Sequence, residues 1–371
     1  VFSDEPEKKF MMYYEAHDDL RGTHDTGRQV PVAGAVPLLS VVIPNYNHAR
    51  YLGRAIAALR AQERPAEEII VVDDGSTDDS LAVLAELGRG HGDLVIAVNR
   101  SNHGAVAALQ QGLEIARGRY VYFGAADDTV LPRFFERALA MLAAYPGTGL
   151  FCGDCLLVDG ATGRTIGHRP AARPMQSAAM ISPAATARLL RRTDNFILTG
   201  SAIFRRDLAL AKGGFDPRAE SFADGLLARK VALEAGFCYL PRTVAVWNIF
   251  EASLSRSMAL EAPRALKALA DLPRLIAADE HFPDWYAPLM ARRWRFGTAR
   301  LALAARPPRR ALLRQMGAAG FFDAAVIAAA SPALGLAPVR WLVLAWLTIR
   351  FRPFRVRDVM LTAFNRWREH L

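Results

Sequence analysis

Ile70-Val71-Val72-Asp73-Asp74-Gly75-Ser76-Thr77-Asp78 is an apolar run that ends in two carboxylates, a turn glycine and a hydroxyl able to cap a helix. Its β-branched residues suit a strand, and the segment Asp78–Leu87 that follows has helical character. The same unit recurs on both sides. Leu39–Ile43 precedes a helical run Ala49–Gln62, Leu94–Val98 precedes Ala105–Ala116, and Tyr120–Phe123 precedes Pro132–Ala144. Four successive strand–helix units predict a doubly wound α/β fold, a mainly parallel sheet with helices on both faces. Such sheets bind ligands beyond the carboxyl ends of their strands. Those ends carry Asn45 and Asn47, Asp73 and Asp74, Asn99 and Asn102, and Asp127 and Asp128.

The chain has 371 residues, 52% apolar and 22% charged, which allows a large core and excludes a disordered chain. Its formal charge of +9 is unevenly spread. Arg256 to Leu371 holds 19 Lys and Arg against 8 Asp and Glu, while the first 255 residues are nearly neutral. This predicts one catalytic unit followed by a region that faces an anionic partner. No nucleic-acid-binding motif accompanies the charge, so nucleic acid is not an expected partner. Three cysteines, Cys152, Cys155 and Cys238, give no disulfide framework and fit a reducing compartment. Cys152-Gly153-Asp154-Cys155 lacks a second ligand pair for zinc and reads as small residues on a buried strand.

Residues 1–37 are polar, without an apolar run of signal-peptide type, and are expected to form a flexible leader. Residues 38–255 hold the alternating pattern. Within them Gly149–Val158, broken at Asp159-Gly160, predicts a hairpin. His168–Pro183 predicts a loop over the site. Pro183–Arg192 and Phe222–Ala235 predict helices, the second stopped by Gly236. Leu198–Phe204, Phe237–Leu240 and Val244–Trp247 predict further strands. From about Met258 the chain is rich in Ala, Leu and Arg, so a mostly helical extension is expected over 256–371.

A carboxylate at the end of the second strand can accept hydrogen bonds from a nucleobase N–H or a ribose hydroxyl. At the end of the fourth, Gly124-Ala125-Ala126-Asp127-Asp128 joins small residues to two adjacent carboxylates. With no Lys or Arg beside them these repel one another and ask for a cation, Mg²⁺ or Mn²⁺ by the preference of hard ions for oxygen. Such an ion would neutralise a departing diphosphate. No Ser/His/Asp or Cys/His arrangement supports a hydrolase.

Taken together, Ser40-Val41-Val42-Ile43-Pro44-Asn45-Tyr46-Asn47, Val71–Asp78, Asn102-His103-Gly104, Ala126-Asp127-Asp128 and Gly213-Gly214-Phe215-Asp216 resemble the family 2 glycosyltransferases. The resemblance covers Leu38 to Ser255 and implies an inverting, metal-dependent enzyme of GT-A fold that uses a nucleoside-diphosphate sugar. It implies that Pro44 and Asp74 lie against the donor's base with Asp73 nearby, and that Asp127 faces the ribose. Asn45, Asn102 and Gly104 join the donor-binding set, and Asp128 holds the metal, Mn²⁺ or Mg²⁺. The general base of the family comes from an acidic motif at a helix start. Asp224 in Ala223-Asp224-Gly225 matches it, with Ala223 in place of the preceding Glu, and Glu220 is the competing carboxylate. Processive relatives carry Gln-x-x-Arg-Trp. Met290-Ala291-Arg292-Arg293-Trp294 and Ala363-Phe364-Asn365-Arg366-Trp367 both lack the Gln, which implies transfer of a single sugar. Relatives often place a basic residue before Ser-x-Ser, and none precedes Ser253-Leu254-Ser255. A catalytically silent scaffold and a nucleotidyltransferase are the alternatives. Against the second, no glycine-rich loop follows the first strand.

The longest uninterrupted apolar stretch of the tail, Ala324–Val339, is 16 residues and mostly Ala, short of the roughly 20 needed to span a bilayer. Trp341, Trp346 and flanking arginines suit an interfacial helix on an anionic leaflet. The expected location is the cytoplasm, peripheral at the cytoplasmic membrane face and near a lipid-linked acceptor. Self-association is the other reading of the tail.

Overall fold

The computed structural model describes residues 38–194, 196–250 and 259–369. The expected leader, the boundary at 255/256 and the Ser253-Leu254-Ser255 stretch lie outside these. The chain runs β1 (Leu39–Asn45), α1 (Ala49–Arg60), β2 (Glu68–Asp73), α2 (Ser80–Gly88), β3 (Leu94–Val98), α3 (Ala105–Ile115) and β4 (Tyr120–Phe123). It continues with β5 (Thr129–Val130), α4 (Phe134–Ala144), β6 (Leu150–Asp159), β7 (Thr165–Arg169), β8 (Ala179–Ile181) and α5 (Pro183–Arg192). Then follow β9 (Ala202–Arg205), α6 (Arg206–Ala211), α7 (Ala223–Ala235) and β10 (Phe237–Ile249).

The strands form one sheet in the order β3-β2-β1-β4-β9-β6-β10-β5, with β7 on β6 and β8 on β10. β3, β2, β1 and β4 are parallel; β9 runs against both β4 and β6, so β6 and the β10 parallel to it point the same way as β1. The expected doubly wound, mainly parallel fold is what is found. Alternate residues of the central strands enter two cores. Val42, Val72, Val121 and Phe123 pack on one face with α3 and α7, and Val41, Ile43, Val71 and Tyr122 on the other with α1 and α4. Burial on both faces is why these strands read as continuous apolar runs.

Beyond β5 local signals give way to tertiary ones. The Asp159-Gly160 turn does join a hairpin, its Asp159 Oδ1 accepting from the Ala161 and Thr162 N–H groups. The two strands expected over Phe237–Trp247 are one, β10, whose register against β6 shifts between Leu240, Thr243 and Ala245. Of Leu198–Phe204 only Ala202–Phe204 is strand; Thr199–Ser201 forms a 3₁₀ turn instead. His168–Pro183 is not a loop over the site. It contains the end of β7 and all of β8, and none of it lines the cleft described below.

The extension comprises α8 (Ala262–Ala277), α9 (Tyr286–Ala304), α10 (Arg310–Gly317), α11 (Phe321–Ala330), α12 (Ala337–Phe351) and α13 (Val356–Glu369). Leu272 and Ile276 of α8 and Tyr286 and Met290 of α9 belong to the core beneath the sheet. Phe296 and Leu303 of α9 join α10–α12 around Leu313, Ile327 and Leu347. Two carboxylates, the part-buried Asp194 and the fully buried Asp154, tie the extension down. Asp194 accepts from Arg229 of α7 (2.9 Å to Nε) and from Tyr286 (3.0 Å) and Arg293 (3.4 Å) of α9. Asp154 of β6 accepts from Arg173 (2.8 Å), the Tyr239 hydroxyl and Arg366 of α13 (2.7 Å). Many basic residues of the tail are therefore turned inward, and Arg295 likewise bonds the carbonyls that end α10.

Glu68 closes the opposite end of the sheet. It accepts from the Ser40 hydroxyl (2.6 Å), the Arg117 backbone N–H (3.0 Å) and the Arg117 guanidinium (2.7 Å), joining β1, β2 and the entry to β4. Burial pushes its carboxyl up, but these hydrogen bonds outweigh burial and hold it below 4.5. A carboxyl lowered on folding adds stability above its unfolded pKa and loses it as pH falls through the folded one. Glu68→Gln should therefore cost about 2 kcal/mol at pH 7 in urea unfolding, with the deficit shrinking below pH 4.5.

Candidate active site

A cleft of about 290 Å³ opens across the carboxyl ends of the central strands. Pro44 from β1, Phe123 from β4 and Gly124 just after it, Cys155 from β6 and Trp247 from β10 line it, with Val106 and Leu109 of α3 on one side. Among the predicted residues it brings together Pro44, Asp128, Asp224 and the competing Glu220.

Asp128 leaves the sheet after β4. Its Oδ1 accepts from the backbone N–H of Asn248 on β10 (2.9 Å), and the Asn248 side chain donates to the Asp127 carbonyl (2.6 Å). Burial first, and then the neighbouring Asp127 carboxylate, push the Asp128 carboxyl well above the usual carboxylate range. Its Oδ2 faces Gly200, where even an added Cβ would stand 3.8 Å away. The carboxyl group is therefore held at one oxygen by a backbone N–H and open at the other.

Asp224 occupies the first turn of α7, where unpaired N–H groups favour a carboxylate. Oδ1 accepts from the Gly225 N–H (2.6 Å) and Oδ2 from the Thr199 hydroxyl (3.0 Å). Burial outweighs these bonds and the pull of Arg229, so its pKa is raised. The Thr199–Ser201 turn is fixed in its turn by Tyr122, whose hydroxyl donates to the Gly200 carbonyl (3.1 Å), and by Ser201, which donates to the Gly153 carbonyl (3.0 Å). Glu220 adopts φ 48°, a strained value for a side-chain-bearing residue, and pairs with Arg264 of α8 (3.3 Å).

The other predicted residues stand away from the lining. Asp73 accepts from Asn45 Nδ2 (2.7 Å) and the Ser76 N–H (3.0 Å), so Asn45 at the end of β1 and Asp73 at the end of β2 together brace the turn after β2. Asp74 accepts from Asn99 (2.9 Å) and from the backbone N–H groups of His103 (2.9 Å) and Gly104 (2.7 Å), capping α3 from a neighbouring strand. Asn102 is exposed and accepts from the Gly104 N–H (2.8 Å). Gly75, at φ 76°, fits because an added Cβ would sit 2.9 Å from the Ser101 backbone. Thr199 and Asn248 were not expected. The polar Thr199-Gly200-Ser201 step between apolar segments was the available signal for the first; the backbone role of Asn248 leaves none. Cys155 forms part of the cleft wall, its thiol pushed up by burial and then by Asp128, and Cys152 and Cys238 are also buried and free.

The family model for Glycosyl transferase family 2 matches residues 40–210. The succinoglycan biosynthesis protein ExoO of Rhizobium meliloti is 31% identical over 69% of this chain and 71% of its own length. The chain belongs to glycosyl transferase family 2. An uncharacterized glycosyltransferase of Nostoc sp. is 30% identical over 60% of this chain and 67% of its own. The fold of this glycosyltransferase, GT-A type, matches that of S. aureus TarS in complex with UDP-GlcNAc (TM-score 0.56, 20% identity, 75% of this chain and 80% of TarS 1-349). It also matches the mannosyltransferase PcManGT of Pyrobaculum calidifontis in complex with GDP-Man and Mn²⁺ (TM-score 0.53, 21% identity, 98% and 96%). Membership of the family sets the nucleotidyltransferase alternative aside.

Among the described residues no three His, Cys, Asp or Glu side chains cluster to hold a metal ion. A lone carboxylate with one open oxygen fits instead an ion that takes most of its ligands from phosphate and water. The raised pKa of Asp128 has a stability consequence. The folded state favours the neutral acid, so it loses stability as pH rises through the folded value. Asp128→Asn preserves the acceptor for the Asn248 N–H and removes the charge. The ligand-free variant should melt above wild type, by more at pH 8 than at pH 5, in a thermal denaturation series.

Proposed function

We propose that this enzyme moves a single sugar from a nucleoside-diphosphate sugar to an acceptor hydroxyl with inversion, Asp224 being the general base. The observation that carries the reading is that Asp128 and Asp224 face one cleft, both with raised pKa but held differently. An acceptor hydroxyl must lose its proton as the new bond forms, and a carboxylate shifted toward neutrality is the better base. Thr199 and the Gly225 N–H aim Asp224 into the cleft. Activity should accordingly fall as pH drops through the raised Asp224 value.

Asp128 with its open oxygen would hold Mn²⁺ or Mg²⁺, with Asn248 fixing its orientation. Bound there, the ion would neutralise charge on the departing diphosphate. Pro44, Asn45, Asp73, Asp74, Asn102, Gly104 and Asp127 would shape the donor's seat, Asp73 and Asp74 chiefly by fixing turns. The UDP-GlcNAc and GDP-Man complexes of the structural relatives support a nucleotide-sugar donor, and the Mn²⁺ of PcManGT supports the metal. The succinoglycan relative supports a role in cell-surface polysaccharide assembly. A lipid-linked acceptor reached from the cytoplasmic membrane face belongs to the same proposal.

Asp224→Asn should keep donor-induced thermal stabilisation and lose at least roughly a hundredfold in transfer. Asp128→Ala should lose Mn²⁺-dependent donor stabilisation itself. Transfer that survives Asp224→Asn but not Glu220→Gln would move the base to Glu220. No turnover by wild type with any nucleotide-sugar would favour the silent scaffold.

A further inference from the structure

The last three helices carry large apolar residues on their outer sides, α11 and α12 in addition to those they bury. In α13 Asp358, Thr362 and Arg366, spaced four apart, face the catalytic unit. Asp358 pairs with Arg192 (2.7 Å), Thr362 accepts from the Arg173 N–H (2.9 Å), and Arg366 reaches Asp154 (2.7 Å) and the Pro170 carbonyl (2.9 Å). On the opposite stripe Met360, Phe364 and Trp367 are 67%, 52% and 58% exposed. A water-facing helix shows the reverse arrangement, with its polar face turned to solvent. The α11–α12 pair continues the pattern, with Phe321 92%, Trp341 70% and Leu342 71% exposed. Around them Arg352, Arg355, Arg357 and Arg368 are exposed, with no carboxylate partner among the described residues.

We propose that the exposed apolar and basic residues of α11, α12 and α13 dock on an anionic lipid leaflet. Large apolar side chains exposed in this number mark an interaction site. Its composition, Trp and Phe beside guanidinium groups, is that of a helix lying in the headgroup region. The charge decides between a membrane and a second copy of the chain. A two-fold contact would set the same four arginines of one copy against those of the other, whereas anionic headgroups complement them. No described helix is long and apolar enough to cross a membrane, so these three would lie on the leaflet rather than span it. The arrangement also fixes how the catalytic unit is held. α13 grips β6 and the segment after β7 with the side opposite the one that meets lipid, so docking needs no flexible linker. The inference goes beyond sugar transfer, and a protein without transferase activity would dock equally.

Co-sedimentation of the full chain tests it, with vesicles of phosphatidylcholine alone and of phosphatidylcholine with phosphatidylglycerol, at low and high salt. Wild type should pellet with the anionic vesicles and far less with the neutral ones. Phe364→Glu/Trp367→Glu and Arg355→Glu/Arg357→Glu should each lower the bound fraction constant roughly tenfold or more. All four positions are exposed, so both variants should keep the wild-type melting temperature. Failure of wild type to pellet on anionic vesicles would overturn the proposal, as would equal pelleting by the variants. So would a dimer in light scattering that the same substitutions dissolve while vesicle binding stays absent. The assay contains no sugar donor, so its outcome is separate from that of the transfer reading.

Discussion

The Asp194 carboxylate is the joint on which the molecule turns. It draws Arg229 from α7 and Tyr286 and Arg293 from α9 to one point. α7 carries Asp224 five residues before Arg229, so the clamp fixes the helix whose first turn reaches the cleft. α9 begins in the core under the sheet and ends in the core of the tail. Removing the Asp194 carboxylate would leave the largely buried Arg229 and Arg293 without their counter-ion, which is far more costly than losing a surface pair. The extension is in this sense part of the catalytic unit's own packing. Arg264 of α8, paired with the cleft-lining Glu220, makes the same point from the other side.

The front half of the fold was legible because its signals are local. β3 and β4 begin and end where the apolar runs do, and α5 starts at Pro183 with Ser182 capping it. Past Gly149 the deciding contacts are distant in sequence. Thr199–Ser201 is apolar enough around it to read as strand, yet Tyr122 and Ser201 bend it into a turn. β10 absorbs two register shifts because β6 supplies an unbroken partner on one side. The His168–Pro183 segment carries the arginines of a surface loop, but Arg173 finds a wholly buried Asp154. Nothing in the local sequence announces that pairing.

The candidate site was legible in composition and only partly in role. The sequence singles out carboxylates at strand ends, but a carboxylate has four acceptor positions and nearby N–H groups compete for them. Asp73 and Asp74 sit beside turns rich in unpaired N–H groups and satisfy those turns. Asp128 has a single N–H partner and Asp224 a hydroxyl and one N–H, so these two keep oxygen facing the cleft. The difference lies in what the neighbouring backbone offers, which the sequence does not spell out. Charge in the tail was similarly ambiguous: the count is correct, yet Arg293, Arg295 and Arg366 are consumed inside the protein.

Cys155 gives the cleft a chemical character of its own. Its sulfur stands in the wall beside Asp128, where low polarity and a neighbouring negative charge both resist ionisation. Thiol alkylation and the first step of sulfur oxidation proceed through the thiolate. An electrophile carried into the cleft on a nucleotide scaffold would thus meet an inert sulfhydryl. The residue acts as a small apolar wall, and covalent probes of this enzyme would find better purchase elsewhere.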